Sequence, residues 1–264
     1  MSPDSGTWSA LSLPQRGVAA HRAGAAHAPE NTLAALREAL RLGVHQIEVD
    51  LRRTADGAIV VMHDADVVRT TGVPGVVAKL TLSELRQLDA GAHFAPRFNG
   101  ERVPILSEFL DECPRDRWLN LQIKNGERIA GEVALQLVRA GRLEHAFLAC
   151  HSGAAREARV AHPDVLICDL DRQRSRVAYV THAAECGAQF VQFHHLRGVP
   201  NPNEMDAARA AGLRVNFFCA PDTDVNALFA AGVDFPLVDD VAAGLKLAER
   251  FGVTPLPAAG AATL

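Results

Sequence analysis

Apolar runs of strand length recur along the chain, and amphipathic segments with a helical period separate most of them. The segments at 32–42 and 129–138 are the clearest, and Gly43 and Gly141 follow them as helix-terminating glycines. The apolar runs number eight and lie at 17–20, 46–51, 118–123, 146–150, 165–168, 189–193, 214–218 and 235–238. This repetition predicts an α/β fold, a (β/α)8 barrel with functional residues at the carboxyl ends of its strands. An open doubly wound sheet is the alternative, which is disfavoured because no Gly-x-Gly-x-x-Gly follows the first run.

Two acidic side chains interrupt the second apolar run. Glu48 and Asp50 are two residues apart, so in a strand they point to the same face. The Asp-Gly pair at 56–57 predicts a tight turn into another strand at 59–62, which brings His63 back toward the acids. Burying such carboxylates without a partner costs on the order of several kcal/mol. The pattern therefore predicts a cation or a set of hydrogen-bond donors beside them.

One connection is far longer than the others. From His63 to Arg117 the chain runs through turn-rich sequence, which predicts a short insertion after the second-strand hairpin, at about 64–117. We expect residues 1–254 to form a single domain around this insertion. Residues 255–264, rich in Pro, Ala and Gly, are expected to form a loose C-terminal tail.

Composition narrows the range of functions. The 264 residues are 48% apolar and carry a formal net charge of −4, which suits a full core but offers no basic surface for nucleic acid. No run of about 18 apolar residues could span a bilayer. The polar N-terminus lacks the apolar core of a secretory signal, and five scattered cysteines are typical of a reducing compartment. We therefore expect a cytoplasmic protein that acts on a small soluble molecule.

Further polar residues close the first and third barrel strands. His21 and Arg22 end the first, while Gln122 and Lys124 share one face at the end of the third. With the two acids and His63, they would meet at one end of the barrel. Oxygen ligands without sulfur favour a hard cation such as Mg²⁺ or Ca²⁺, and the cationic side chains suit a phosphate anion. The implied chemistry is phosphoryl transfer.

Several short motifs between 17 and 125 occur in the order and spacing of one known family. They are His21-Arg22-Ala23-Gly24, Ala28-Pro29-Glu30-Asn31-Thr32, Ile47-Glu48-Val49-Asp50-Leu51, Thr54-Ala55-Asp56-Gly57, Val60-Val61-Met62-His63-Asp64, Arg69-Thr70-Thr71-Gly72 and Leu119-Asn120-Leu121-Gln122-Ile123-Lys124. Together they strongly resemble the glycerophosphodiester phosphodiesterase family. The resemblance continues more loosely to about Val241.

The resemblance implies a TIM barrel with an insertion after the His-Asp motif. It also implies hydrolysis of glycerophosphodiesters, such as glycerophosphocholine, to glycerol 3-phosphate and an alcohol, within lipid and glycerol metabolism. By position in the motifs, His21 and His63 are the catalytic acid and base, and Arg22 binds phosphate. The family's first two metal ligands fall on Glu48 and Asp50, for a divalent cation that we expect to be Mg²⁺, Ca²⁺ or Mn²⁺.

The family's third metal ligand is a glutamate, and this chain has Gln122 at that position. A glutamine oxygen still ligates a hard cation, but the ligand charge falls from about −3 to about −2 and the metal affinity should fall with it. Two alternative functions therefore stay open beside the hydrolase. One is a weakened or non-catalytic member that binds a phosphate ligand, and the other is a phosphodiesterase or lyase acting on lysophospholipid headgroups.

Lys124 is expected to offset phosphate charge beside Arg22. His194 and His195 follow the apolar run at 189–193 and are candidates for a ligand or substrate role, whereas the other histidines outside the motifs, His151 and His182 among them, are assigned no role. Candidates to line either a headgroup pocket or a homo-oligomer contact are Leu13, Phe94, Phe98 and Phe109.

Overall fold

Nine strands form one sheet in the computed structural model, which describes residues 13–258. They are β1 Ala19–Ala20, β2 Gln46–Arg53, β3 Ile59–Val61, β4 Trp118–Ile123, β5 Ala146–Cys150, β6 Leu166–Asp169, β7 Phe190–His194, β8 Arg214–Phe218 and β9 Phe235–Val238. β1 pairs in parallel with both β2 and β9, so the eight parallel strands close into a barrel. β3 pairs antiparallel with β2 alone and completes the predicted hairpin. The predicted (β/α)8 TIM barrel is confirmed, and the open sheet is excluded.

Helices lie between successive barrel strands and cover them. They are α1 Leu33–Leu42, α2 Val68–Thr71, α3 Leu82–Leu85, α4 Leu106–Glu112, α5 Ala130–Arg139, α6 Ser152–Ala161, α7 Arg176–Glu185, α8 Pro202–Ala210, α9 Val225–Ala231 and α10 Val241–Ala248. α1 shows why the sequence forms them. The Thr32 hydroxyl caps its start by accepting the Ala35 N–H at 3.2 Å, and Gly43 ends it in the left-handed conformation with φ of 85°.

Strand alternation produces two separate hydrophobic cores. The larger one lies between the strands and the helices, and it contains Phe109. The smaller one fills the amino-terminal part of the barrel, where Phe147 stacks on Phe190 with ring centroids 4.0 Å apart. Leu13 belongs to this smaller core. Leu13 and Phe109 are buried, which corrects their assignment to a headgroup pocket or an oligomer contact, and Phe94 and Phe98 pack edge-on against each other at 5.5 Å.

The long connection has a core of its own. Residues 64–117 contain α2, α3 and α4, and apolar side chains between 67 and 103 pack with Val60 of β3, whereas α4 packs in the larger core. The buried members of this core are Val60, Met62, Val67, Val77, Leu85, Ala90 and Val103. This packing places the insertion beside the end of β3, where His63 emerges.

The ends of the chain are described only in part. Residues 1–12 and 259–264 lie outside the described residues, and with them most of the N-terminal segment and the end of the predicted tail. In the described part of that tail, Leu256 donates its N–H to the Gly43 carbonyl at 2.8 Å. Within residues 13–258, no helix is long and apolar enough to cross a membrane.

Candidate active site

A strained turn links β1 to the carboxylates of β2. His21 follows β1 directly, and Arg22 and Ala23 then adopt left-handed conformations with φ of 49° and 63°. Such conformations cost about 1–3 kcal/mol for residues other than glycine and are held only where other contacts fix them. Here the Arg22 N–H donates to Glu48 Oε2 at 2.8 Å. The turn therefore fixes one carboxylate of the predicted site.

Glu48 and Asp50 lie on the inward face of β2, and each is only 1% exposed. Burial, followed by the negative charge of Asp50, raises the pKa of Glu48 to about 7. The charge of His21 and the hydrogen bond from Arg22 oppose this rise without cancelling it. Burial and the neighbouring Asp50 charge therefore both disfavour the ionised form of Glu48.

Asp50 has the more complete set of partners. Its Oδ1 lies 2.6 Å from Lys124 Nζ, and its Oδ2 accepts the Asn31 side-chain amide at 2.8 Å. Asn31, held in a left-handed conformation with φ of 57°, also accepts the Asp50 N–H at 3.2 Å. Burial alone would raise the pKa of Asp50, but Lys124 and the other donors outweigh it and lower this pKa. Asp50 is therefore ionised, and Lys124 and Asn31 hold its carboxylate in place.

Gln122 and Lys124 enter from β4, the neighbouring strand. In the parallel register Asp50 lies opposite Gln122, so the two side chains share the inner face of the barrel. The Lys124 ammonium donates to Gln122 Oε1 as well as contacting Asp50. A positive charge thus bridges the carboxylate and the amide oxygen that the sequence predicts as metal ligands.

The two predicted catalytic histidines each contact a carboxylate through Nδ1. His21 Nδ1 lies 2.7 Å from Asp239 Oδ1, and His63 Nδ1 lies 2.7 Å from Asp64 Oδ1. Because an ionised carboxylate only accepts hydrogen bonds, Nδ1 carries the proton and Nε2 is left for other chemistry. Both imidazoles therefore have a fixed orientation and a defined tautomer.

The pKa values of the two histidines move in opposite directions. Burial lowers the pKa of His21, but the Asp239 hydrogen bond and the charge of Glu48 outweigh it and raise this pKa. Burial dominates at His63 and lowers its pKa despite the charge of Asp50 and the hydrogen bond to Asp64. The two imidazoles therefore differ in electrostatic environment.

The His63 side is stabilised by a network of ion pairs. Arg69 Nε lies 2.6 Å from Asp64 Oδ2, and its other nitrogens donate to both Glu30 oxygens at 2.7 and 2.8 Å. Burial alone would raise the pKa of Asp64, but the hydrogen bonds from Arg69 and His63 lower it to about 2. Asp64 therefore stays ionised at any pH near neutrality and holds the imidazole in place.

Arg22 is already paired with acids in this structure. Its NH1 lies 2.9 Å from Glu30 Oε1, and its Nε lies 3.9 Å from Asp50 Oδ2. Only 19% of its side chain is exposed, so its guanidinium is a buried positive charge at the edge of the carboxylate cluster. The structure thus places it beside the predicted metal ligands.

All seven predicted site residues lie at the carboxyl end of the barrel. Lys124 links Asp50 to Gln122, and the Arg22 turn links His21 to Glu48. A cavity of about 320 Å³ opens over His63, Gln122 and Lys124 and extends to His151 and Arg172. The donor set fits a hard divalent cation, because two buried carboxylates and an amide oxygen occur together on the inner face of β2 and β4.

Several residues that orient this site were not predicted as site residues from the sequence. Asn31 and Asp64 belong to the matching motifs but received no function, and Asp239 lies in the part of the chain where the resemblance is looser. Phe218 packs edge-on against the His21 ring at 5.0 Å. The signals were present, since Asn31 and Asp64 lie within the matching motifs and Asp239 directly follows the last strand.

Comparison with known proteins extends the resemblance beyond the motifs. Residues 21–136 match the model of the glycerophosphoryl diester phosphodiesterase family. A glycerophosphodiester phosphodiesterase from Caldanaerobacter subterraneus is 41% identical over 124 residues, which cover 47% of this chain and 51% of the relative. The chain's match thus spans about half the length of this curated relative.

Solved structures match over nearly their whole length. A glycerophosphodiester phosphodiesterase from Agrobacterium tumefaciens is 27% identical, with a TM-score of 0.76, covering 87% of this chain and 98% of its own. A phosphodiesterase from Oleispira antarctica, solved in complex with the product sn-glycerol-3-phosphate, is 25% identical with a TM-score of 0.74, covering 90% and 97%. The family model, the curated relative and the solved structures agree: residues 21–136 are similar in sequence to the glycerophosphodiester phosphodiesterase family, and most of the chain is similar in fold to its solved members.

Proposed function

We propose that this protein hydrolyses glycerophosphodiesters to glycerol 3-phosphate and an alcohol, in a reaction that depends on a divalent cation. The observation that carries the proposal is the group of oxygen donors formed by Glu48, Asp50 and Gln122, flanked by two histidines that carboxylates orient. The substrate class is supported by the names of the relatives and by the sn-glycerol-3-phosphate bound to the Oleispira antarctica protein.

Glu48, Asp50 and Gln122 would hold the cation, and their oxygens suit Mg²⁺, Ca²⁺ or Mn²⁺. When bound, such a cation neutralises charge on a nonbridging phosphate oxygen. Lys124 and Arg22 supply further positive charge beside these ligands, at 2.6 and 3.9 Å from the Asp50 carboxylate. Both side chains are mostly buried, so their charges act on a phosphodiester with little screening by water.

His21 and His63 divide the proton transfers. One accepts the proton of the attacking hydroxyl while that oxygen bonds to phosphorus, and the other protonates the oxygen of the departing alcohol as its bond to phosphorus breaks. The attacking group is water or the substrate's own 2-hydroxyl, which would give a cyclic phosphate that water then opens. Asp239 and Asp64 keep Nδ1 protonated, so that Nε2 of each ring performs the transfer.

A metal-reconstitution assay tests this proposal. Chelator-treated protein supplied with Mg²⁺, Ca²⁺ or Mn²⁺ should release glycerol 3-phosphate from glycerophosphocholine or glycerophosphoethanolamine. His21→Ala and His63→Ala should each lower kcat/KM by about 10²–10⁴. The matched control is His93→Ala, because His93 is exposed and lies outside the site. No turnover with any of these metals, or full activity in both histidine variants, would contradict the proposal.

The contact between Lys124 and Gln122 supports a second candidate, a weakened member that binds a phosphate ligand. The amide oxygen that would replace the family's third carboxylate is already hydrogen-bonded to an ammonium group. Such a protein would bind glycerol 3-phosphate in calorimetry yet show no turnover with any metal. A lysophospholipid substrate, run in the same assay, tests the remaining alternative.

A further inference from the structure

A second group of ligating side chains lies at the carboxyl end of β6, on the outer side of the barrel. Cys168 belongs to the core inside the barrel, so the next residue, Asp169, faces the helical layer. There the side chains of Asp169, Asp171 and His182 each bring one ligand atom within 4.8 Å of the others. His182 Nε2 lies 3.9 Å from Asp169 Oδ2 and 3.8 Å from Asp171 Oδ2.

Asp169 is the unusual member of this group. Its side chain is only 3% exposed, and its Oδ1 accepts the Asp171 N–H at 2.9 Å. Its Oδ2, the atom that points toward His182, has no hydrogen-bond partner among residues 13–258. Leaving a buried carboxylate oxygen without a partner costs about 1–3 kcal/mol or more, which a positive charge beside it would relieve.

The other two ligands are held in place by their surroundings. Asp171 Oδ1 lies 2.6 Å from His151 Nδ1, and its Oδ2 accepts the Ser152 N–H at 2.8 Å. His182 projects from α7 and its side chain is 31% exposed, so the group lies close to the protein surface. One helical turn further, Cys186 Sγ lies 3.6 Å from the same Nε2 and brings a fourth donor atom close to the group.

We propose that Asp169, Asp171 and His182 bind a second divalent cation, of the first-row transition type represented by Zn²⁺. Imidazole with carboxylates is a common zinc ligand set, with bonds of about 2.0–2.2 Å that imply ligand separations of roughly 3.4 Å. Separations of 3.8 and 3.9 Å therefore need a contraction of only a few tenths of an ångström. The cation would tie the end of β6 to α7 and, through Asp171 and Ser152, to the start of α6.

This second site does not depend on the proposed hydrolase activity. Its ligands lie on β6, on the segment after it and on α7. The donors Glu48, Asp50 and Gln122, at the carboxyl-terminal mouth of the barrel, lie on β2 and β4. The two sets also differ in chemistry, since the mouth supplies oxygen donors and the outer group includes an imidazole nitrogen. A borderline cation such as Zn²⁺ should therefore distinguish them better than Mg²⁺.

Zinc binding to the full-length chain tests the proposal. The background variant is Glu48→Gln with Asp50→Asn, which removes the carboxylates of the mouth. After dialysis against micromolar Zn²⁺, it should retain one Zn²⁺ per chain by mass spectrometry. Adding His182→Gln should weaken zinc binding by roughly 10–100-fold or more in a competition assay with a chromophoric chelator. Glu185→Gln is the matched control, an exposed acid on the same helix, and should leave the affinity unchanged.

A second measurement guards against misfolding of the background variant. In the otherwise wild-type chain, Zn²⁺ should raise the Tm, and His182→Gln, a change at a partly exposed position, should remove most of that rise while leaving the metal-free Tm nearly unchanged. Two results would overturn the proposal. One is that the chain with intact Asp169, Asp171 and His182 retains no zinc, and the other is that His182→Gln leaves both the affinity and the Tm rise intact.

Discussion

Two sides of the barrel rim bury carboxylates at strand ends but satisfy them differently. On the β2 side, Asp50 receives an ammonium group, a side-chain amide and a nearby guanidinium, all from the chain itself. On the β6 side, one oxygen of Asp169 receives a backbone N–H, and the other has no hydrogen-bond partner among residues 13–258. Asp50 is thus paired with the protein's own cations, whereas Asp169 Oδ2 has the His182 imidazole nitrogen 3.9 Å away. The same residue type at equivalent ends of strands thus has different energetic roles.

Substituting asparagine for Asp50 should have the largest effect on stability. The change leaves the mostly buried Lys124 ammonium without its anionic partner and removes the more distant of the two acids beside Arg22, which should lower the free energy of unfolding by about 3–5 kcal/mol. Urea denaturation in the presence of a chelator measures this loss without contributions from bound metal. A loss below about 1 kcal/mol would show that the protein's own charges stabilise Asp50 no more than they stabilise Asp169.

Gln122→Glu should change metal affinity more than stability. A third carboxylate beside Glu48 and Asp50 raises the ligand charge to about −3, and we expect divalent-cation affinity to rise by about tenfold or more. The new carboxylate also strengthens the contact with Lys124, which opposes part of this gain. Calorimetric titration with Mg²⁺, Ca²⁺ and Mn²⁺ measures the affinity, with Gln136→Glu on α5 as a charge-matched control. Equal affinities for wild type and Gln122→Glu would indicate that this position is not a ligand.

Cation binding at the mouth should depend on pH through Glu48. Its pKa is raised to about 7, so below pH 7 the carboxyl group is neutral and must lose a proton before it ligates. Apparent affinity should therefore rise by up to about tenfold per pH unit as pH increases toward 7, and level off above it. Titrations between pH 5.5 and pH 8 test this, and Glu48→Gln should flatten the profile. A profile of the same slope in that variant would assign the effect to another group.

Asp169→Asn should have the smallest effect on the metal-free protein. Its Oδ2 makes no hydrogen bond within the described chain, and its Oδ1 contact with the Asp171 N–H survives in asparagine. We expect a change in unfolding free energy of less than about 1 kcal/mol in chelator, in contrast to Asp50→Asn. A destabilisation of 3 kcal/mol or more would mean that Asp169 is anchored as Asp50 is, and the contrast between the two sides would fail.

Much of the site was predictable because it lies on regular elements with readable periods. The two-residue spacing of Glu48 and Asp50, and of Gln122 and Lys124, placed each pair on one face, and parallel register then brought the pairs together. The Asp-Gly turn likewise placed His63. The catalytic and ligand roles of these residues stay predictions, since only the assays described above test them.

Other features depend on contacts between distant segments. Leu13 and Phe109 were predicted to line a headgroup pocket or an oligomer contact, yet each packs in a core. The prediction failed because periodicity does not indicate which way an apolar residue points when it lies outside a regular run. The contact of His21 with Asp239 joins residues 218 positions apart. The ligand group of Asp169, Asp171 and His182 could not be predicted from the sequence for the same reason, because His182 lies on a helix and Asp169 at the end of a strand.

The barrel, and the end of it that carries polar chemistry, could be predicted because hydrophobic periodicity and strand alternation are local properties. The pairing of charges, in contrast, depends on contacts between distant segments. Lys124 meets both Asp50 and Gln122, Arg22 turns toward Glu30, and Asp169 faces His182 with an oxygen that no described residue satisfies. The physical reason is that pairing depends on distance and burial in three dimensions, and closure of the barrel sets both.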